Sequence, residues 1–253
     1  MRKKGFMLKA VIFAALSVLN TGAYALDGQA LIEASFDYFR GRTSIAMVDM
    51  TIHRPEWERV MSIKAWTKGQ DESLVKIIAP PKDKGNGTLK KGKEMWMYNP
   101  KVNRVIKIPP SMMSQSWMGS DFSNNDLAKS DSIIRDYVHI ITGEDTHEGM
   151  KVYLVKSMPK PEAPVVWGMQ LLKIREDHIF LEQAFYDEDL KLVKRMTAHE
   201  IKMLGERLFP SVWKMQKAGA ENEYTLLEYK DLAFDKLLPA DTFTESALRM
   251  PVR

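Results

Sequence analysis

The sequence predicts a mainly β protein of the α+β class, an incomplete antiparallel β-barrel of about a dozen strands with a helical lid in its concavity. Short segments rich in β-branched and aromatic residues follow one another along most of the chain and are separated by turn residues, which is typical of consecutive hairpins. Strands and helices do not alternate as they do in parallel sheets. The few helical segments have broad apolar surfaces, and the hollow of a strongly curved sheet is the simplest place to bury them.

The N-terminus has the pattern of a secretory signal peptide. Arg2, Lys3, Lys4 and Lys9 precede a short apolar run, and Ala23-Tyr24-Ala25 forms a small-residue cleavage site. The apolar run is too short to cross a bilayer comfortably. We therefore expect cleavage after Ala25, export to the periplasm, and a single mature domain at residues 26–253.

Composition excludes several classes of function. The 253 residues contain 37 Lys and Arg and 33 Asp and Glu. Four of those cations lie in the predicted signal, so the mature chain carries 33 charges of each sign. This balance does not favour nucleic-acid binding, which needs a basic surface. The chain has no cysteine, which excludes thiol catalysis and thiolate metal sites, and 17 methionines, which suit surfaces that adapt to varied apolar partners.

The first element of the mature chain is predicted to be a helix at residues 27–40. Asp27 is a suitable N-cap and Gly41 a suitable terminator. Apolar residues, including Phe36 and Phe39, cover a wide arc of this helix, so it is expected to be buried on more than one side or to lie in a groove.

Strands are predicted through the rest of the chain, in two groups. The segments are 45–53, 57–67, 72–79, 94–99 and 103–108, then 137–142, 150–158, 167–176, 178–186, 191–204, 207–217 and 222–232. Residues 85–93, "GNGTLKKGK", are interpreted as a flexible hairpin connection. Its lysines, together with Lys82 and Lys84, fit a solvated basic turn slightly better than a contact with anionic lipid head groups.

A polar loop between the two groups, "SQSWMGSDFSNND" at 114–126, contains three large apolar residues. Ser123 and Asp126 fit a capping box that begins a short helix, which explains the polar residues. It does not explain Trp117, Met118 and Phe122. Two interpretations remain open: they pack the loop on the sheet as ordinary core, or they line or gate an apolar cavity.

Aromatic and methionine pairs recur on the strands at the period of two that places them on one face. Each pair alone is more typical of core than of a ligand site, and their number favours a cavity. The predicted ligand-binding residues are therefore Phe36, Phe39, Trp96, Tyr98, Trp117, Met118, Phe122, Trp167, Met169, Trp213 and Met215.

No catalytic or metal-binding pattern is found in the sequence. His139 and His147 flank an acidic turn, where a solvated hairpin is the stronger interpretation than a metal site. Ser120 and Asp121 stand side by side, but both belong to the capping loop and no histidine is near in sequence. We predict no catalytic residue, no metal and no cofactor.

Two motifs resemble those of the LolA-like outer-membrane lipoprotein-sorting family. "WMYNPKVNRVIKIPP" matches the first at Tyr98, Pro100, Arg104 and Ile108, and "WMGSDFSNNDL" matches the second from Met118 to Ser123 and at Asp126 and Leu127. "FYDEDLKLVKRM" and "LFPSVWKMQ" resemble a later hairpin and strand of that family. The resemblance implies an incomplete barrel with a helical lid over a cavity for acyl chains, and a branch associated with RND/MMPL-type exporters.

The resulting hypothesis is a periplasmic carrier, not an enzyme, that sequesters acyl chains of lipid or lipidated protein and passes them toward the outer membrane. Its expected partners are an inner-membrane RND/MMPL-type exporter and an outer-membrane acceptor, and we expect a monomer. The alternatives are a periplasmic hydrolase or metal-dependent enzyme on a β scaffold, and a transporter accessory module that carries no lipid.

Overall fold

A computed structural model of the protein describes residues 27–252. The predicted signal peptide at residues 1–25 and its cleavage site lie outside the described residues. The prediction of one mature domain at 26–253 stays a prediction.

Thirteen strands form one antiparallel sheet, which confirms the predicted fold class. They are β1 (Thr43–Arg54), β2 (Trp57–Lys68), β3 (Glu72–Ala79), β4 (Gly87–Lys91), β5 (Glu94–Asn99), β6 (Arg104–Lys107), β7 (Tyr137–His147), β8 (Met150–Pro159), β9 (Met169–Arg175), β10 (Phe180–Tyr186), β11 (Leu192–Leu204), β12 (Arg207–Lys217) and β13 (Tyr224–Phe234).

The sheet is open and is built from two consecutive meanders joined through β1 and β13. The spatial order is β6-β5-β4-β3-β2-β1-β13-β12-β11-β10-β9-β8-β7. The first and last strands of residues 27–252 therefore pair in the middle of the sheet, with Ser44 opposite Phe234 and His53 opposite Tyr224. The edge strands β6 and β7 do not pair with each other, so the barrel remains incomplete.

Four α-helices accompany the sheet within residues 27–252: α1 (Gly28–Arg40), α2 (Asn124–Ala128), α3 (Ser132–Asp136) and α4 (Glu245–Arg249). The predicted ends of α1 are confirmed. The Asp27 side chain accepts a hydrogen bond from the Gln29 amide at 3.1 Å, and Gly41 adopts a φ of 61° while its amide donates to the Asp37 carbonyl at 2.8 Å. None of the helices at residues 27–252 is long and apolar enough to span a membrane.

Successive side chains of each strand point to opposite faces of the sheet, and one of these faces is packed against the helices and the loop between the two strand groups. On β1, Ala46, Val48, Met50 and Ile52 are buried at every second position, as expected for a strand with one face on a core. They join β2 and β12 residues beneath the loop at 113–128. A second apolar cluster lies under α1 and α3 and includes Ile32.

A third apolar cluster lies on the opposite face of β3, β4 and β5. Leu74 and Leu89 pack there against Phe243 and Leu248 of the C-terminal segment. That segment is held by Lys76, whose buried Nζ donates to the carbonyls of Ala247, at 2.8 Å, and Met250. This part of the sheet is therefore covered on both faces.

The interpretation of residues 85–93 as a flexible, solvated connection is wrong. Gly87–Lys91 is strand β4, paired with β3 and β5. Lys90 is only 3% exposed because its Nζ donates to Asp131 Oδ1 at 2.9 Å and to the Gln70 carbonyl. Lys82, Lys84, Lys91 and Lys93 are exposed, as predicted.

Candidate functional site

A cavity of about 310 Å³ lies between the sheet and the helical segments. Its walls include Ala46, Ile63 and Val75 from β1, β2 and β3, and Phe185 and Leu227 from β10 and β13. Because strands from both meanders line the same space, the sheet must curve around it. Its volume is at the lower end of the range for small-molecule pockets.

The loop at 113–126 covers this cavity as a short hairpin. The Trp117 amide donates to the Phe122 carbonyl at 2.7 Å, and the Asn124 amide donates to the Gln115 carbonyl at 3.0 Å. Positive φ values of 54° at Met118 and 79° at Gly119 form the tip. We call residues 113–136, which continue through α2 and α3, the lid.

The polar residues of the lid hold it in place. The predicted capping box is present: Ser123 Oγ accepts from the Asp126 amide at 3.2 Å, and Asp126 Oδ2 accepts from the Ser123 amide at 2.6 Å. Asp126 also pairs with Lys194 of β11. The composition of this loop thus reflects a set of fixed hydrogen bonds rather than a solvated surface.

Asp121 anchors the lid to the middle of the sheet. Its side chain is 1% exposed and accepts from Arg54 Nη1 at 3.1 Å and Nη2 at 3.0 Å. Thr225 Oγ1 donates to Asp121 Oδ2 at 2.7 Å and accepts from the Asp121 amide at 3.0 Å. The neighbouring Ser120 Oγ donates to the Trp117 carbonyl at 2.6 Å. Both residues therefore serve the lid conformation.

The apolar lid residues divide into two kinds. Trp117 is 5% exposed, belongs to the core cluster on β1 and donates from Nε1 to Thr88 Oγ1 at 2.9 Å, while one face still reaches the cavity. Phe122 is half-buried and lines the cavity without joining a core cluster. It also lines an adjoining cavity of about 200 Å³, as does Trp167. The two interpretations of the loop thus each fit different residues.

Six of the predicted ligand-binding residues line the main cavity. These are Phe36, Phe39, Trp117, Phe122, Trp167 and Met215. Whether they bind acyl chains stays a prediction.

The other five lie elsewhere. Trp96 and Tyr98 point to the opposite face of the sheet and pack with the C-terminal cluster, so their predicted place in the cavity is wrong. Trp213 is buried core, with its ring 5.6 Å from that of Phe39. Met118 packs against the core at the lid tip, and Met169 is buried outside the cavity wall.

One end of the cavity is polar, which the sequence analysis missed. Arg40, Ser130 and Tyr229 line it. Burial lowers the pKa of the Arg40 guanidinium, and burial raises the pKa of the Tyr229 hydroxyl although Arg40 opposes that shift. The sequence signal for Arg40 is weak, because a cation at the end of a helix is also favourable where that end is exposed.

Lys90 and Asp131 lie beside this polar end. Burial, with the nearby Arg40 guanidinium, lowers the pKa of Lys90 to about 8. Asp131 is 2% exposed and also pairs with Arg135. The cluster thus contains three cationic side chains, those of Arg40, Lys90 and Arg135, and two carboxylates, the buried Asp131 and the exposed Asp71, which pairs with Arg135 at 3.3 Å.

Within residues 27–252, no group of three or more His, Cys, Asp or Glu side chains is placed so that it could hold a metal ion. His139 is buried on β7, with Nδ1 2.8 Å from Ser157 Oγ. His147 lies near Glu148, with 3.8 Å between Nδ1 and Oε2.

The fold is similar to those of three solved structures. A DUF1329 family protein from Desulfovibrio piger matches with a TM-score of 0.77 and 23% identity over 88% of this chain and 99% of its own. A proposed outer membrane lipoprotein-sorting protein domain from Vibrio parahaemolyticus matches with a TM-score of 0.75 and 21% identity, over 88% of this chain and 98% of its own. A LolA superfamily protein from Nitrosomonas europaea matches with a TM-score of 0.72 and 21% identity, over 88% of this chain and 100% of its own.

No curated protein matches this chain. A protein-family model described as "uncharacterized protein" matches residues 69–250, well over half of the sequence. The chain therefore belongs to that family, on a fold that it shares with LolA-superfamily proteins.

Proposed function

We propose that this protein is a periplasmic carrier that sequesters acyl chains of a lipid or lipidated protein and passes them toward the outer membrane. The observation that carries the proposal is the lidded cavity, whose walls include Phe36, Phe39, Phe122 and Trp167. Likeness to a proposed lipoprotein-sorting domain and to a LolA superfamily protein gives the fold a precedent in proteins of that description.

Chain burial supplies the affinity in this proposal. Each methylene that leaves water contributes about 0.8 kcal/mol, so a chain of about ten carbons in the cavity contributes about 8 kcal/mol before the cost of association is subtracted. Release then needs an event that opens the lid or an acceptor that binds more tightly. The proposal therefore includes an outer-membrane acceptor. It also names an inner-membrane RND/MMPL-type exporter as donor, on the resemblance of the two sequence motifs alone.

The location is part of the proposal and has its own test. Residues 1–25 have the features of a cleaved signal, and N-terminal sequencing of protein from the periplasmic fraction should begin at Leu26. Protein that keeps Met1 in the membrane fraction contradicts the proposed location.

The carrier function is tested by binding. Native mass spectrometry of protein purified without detergent should show adducts with the masses of lipids, which disappear after delipidation. The delipidated protein should then bind the neutral fluorophore N-phenyl-1-naphthylamine and release it when oleyl alcohol is added. Folded protein that shows neither adducts nor displaceable binding favours the alternative of a transporter accessory module that carries no lipid.

A further inference from the structure

Arg40 is the last residue of α1, and its guanidinium faces the cavity. Its hydrogen bond within residues 27–252 runs from Nη2 to Ser130 Oγ, a long contact of 3.4 Å. No carboxylate at residues 27–252 lies within ion-pair distance of it. Most of the other side chains that line the whole cavity are apolar, among them Phe39 and Leu232.

A buried charge is costly unless an opposite charge or several hydrogen bonds compensate it. An arginine stays protonated in proteins, so loss of the proton does not remove the cost, even though burial lowers the pKa of Arg40. The carbonyl end of α1 offsets part of it. A single 3.4 Å bond to a serine leaves most donors of the guanidinium without a partner.

The nearby carboxylates are already engaged. Asp131 accepts from both Lys90 and Arg135, and Asp71 pairs with Arg135 at 3.3 Å. Asp126 pairs with Lys194 and closes the capping box. Arg40 lies close enough to Lys90 for its charge to help lower the pKa of that ammonium group. This end of the cavity therefore has an excess of positive charge, which an anion would neutralise.

Tyr229 offers a second donor at the same place. Its ring packs on Phe209 with centroids 5.1 Å apart, its side chain lines the cavity, and its hydroxyl has no hydrogen-bond partner in the described chain. Burial raises its pKa, so the hydroxyl keeps its proton and can donate. Arg40, Tyr229 and Ser130 thus present donors to one polar end of an apolar chamber.

We propose that this end of the cavity binds the acid group of an anionic amphiphile, a carboxylate or phosphate, while its acyl chain lies along the apolar walls. The inference rests on the proposed carrier function and narrows the cargo. The acylated terminus of a lipoprotein carries its chains on amide and ester groups without charge, so it would leave Arg40 unpaired. A fatty acid or an acidic phospholipid supplies the missing anion.

The test compares three probes with the same kind of chain: oleate, oleyl alcohol and oleoyl lysophosphatidate. Each displaces N-phenyl-1-naphthylamine from delipidated protein, wild type or Arg40→Met. The substitution keeps an unbranched apolar side chain and removes the charge. Oleate or lysophosphatidate should bind the wild type at least tenfold more tightly than oleyl alcohol does. Arg40→Met should lose that advantage and bind the alcohol as before. The anion with the larger advantage identifies the acid group as carboxylate or phosphate.

Arg42→Met is the matched control because the Arg42 side chain is 89% exposed and lies outside the cavity. It should bind all three probes as the wild type does. If Arg40→Met does not fold, two measurements still decide the question. These are the preference of the wild type for the anions over the alcohol, and the loss of part of that preference in Tyr229→Phe. Equal binding of the anions and the alcohol by the wild type overturns the inference and leaves the carrier intact. Failure of all three probes to bind folded protein overturns the carrier function itself.

Discussion

Phe122 and Trp117 stand five residues apart in the lid, and we predict that replacing each by alanine has opposite consequences. Phe122→Ala should weaken lipid binding with little loss of stability. Trp117→Ala should lower stability far more. The structural basis is their burial: Trp117 is 5% exposed inside the core cluster, whereas Phe122 is half-buried, outside the clusters and shared by two cavities.

The magnitudes follow from what each ring contacts. Truncating a buried tryptophan typically costs about 3–5 kcal/mol. Here it also leaves Thr88 Oγ1, which accepts from Trp117 Nε1 at 2.9 Å, without its buried partner. Full burial of a large apolar side chain is worth about 1.5–3 kcal/mol. A ligand that covers the part of Phe122 that remains exposed should gain about 0.5–1 kcal/mol, which is roughly a twofold to fivefold gain in affinity.

Urea unfolding followed by fluorophore displacement with oleyl alcohol separates the two effects. Phe243→Ala is the matched control, since Phe243 is 6% exposed in the cluster on the other face. It should lose stability as Trp117→Ala does and keep its affinity. The reasoning is refuted if Phe122→Ala binds the alcohol like the wild type while unfolding at much lower urea. Phe122 would then be ordinary core.

Three further predictions concern the polar groups that hold the lid. Lys90 has a folded-state pKa of about 8, below its ordinary 10.5. Between these two pH values the unfolded chain keeps a proton that the folded chain has lost. The stability of the wild type should therefore rise by about 2 kcal/mol relative to Lys90→Met between about pH 7.5 and 9.5, and parallel stability curves from urea unfolding would contradict this. Asp121→Asn should cost about 3–5 kcal/mol because it leaves Arg54 without its buried partner; a loss below 1 kcal/mol in the same assay would exclude an anchoring role. Ser123→Ala should cost about 1 kcal/mol through the lost cap and leave the fluorophore affinity unchanged, whereas a larger change in affinity than in stability would assign Ser123 to the site.

Most of the fold could be predicted because its signals are local. Strands such as β1 bury alternate residues, and turn residues interrupt the pattern where hairpins form. The ends of α1 depend on Asp27 and Gly41, and the start of α2 on Ser123, all of which act within a few residues. Helix caps and short turns need no information about distant parts of the chain.

Strand β4 was missed because its reason is not local. Gly87 and Lys90 disfavour a buried strand when only propensity is considered. Gly87 lies against the C-terminal segment: a Cβ there would lie 2.9 Å from Leu248 Cδ2, 161 positions along the chain, and that side chain would have to shift. Lys90 is tolerated because it forms an ion pair with Asp131, 41 positions away. Neither partner can be identified from the sequence near the strand.

The misplacement of Trp96 and Tyr98 has a related cause. A period of two separates the faces of a strand but does not say which face borders the cavity. On β5 both faces are buried: Met95 lies under the lid, while Trp96 and Tyr98 lie under the C-terminal segment. Because the lid covers one face of this strand and the C-terminal segment covers the other, both faces are hydrophobic. The sequence pattern therefore cannot show which face borders the cavity.

Arg40 is informative for a different reason: its charge does not suit the apolar surroundings in which the fold places it. A cation fits a core badly, and α1 buries Ile32 and Phe36 on the same element that ends in Arg40. At an exposed helix end this residue would need no explanation, because cations there interact favourably with the helix dipole. It becomes informative only once the curved sheet closes around it and the nearby carboxylates are seen to be engaged elsewhere. The identity of the cargo therefore depends on what the three-dimensional structure leaves unpaired, and a single linear sequence does not display that.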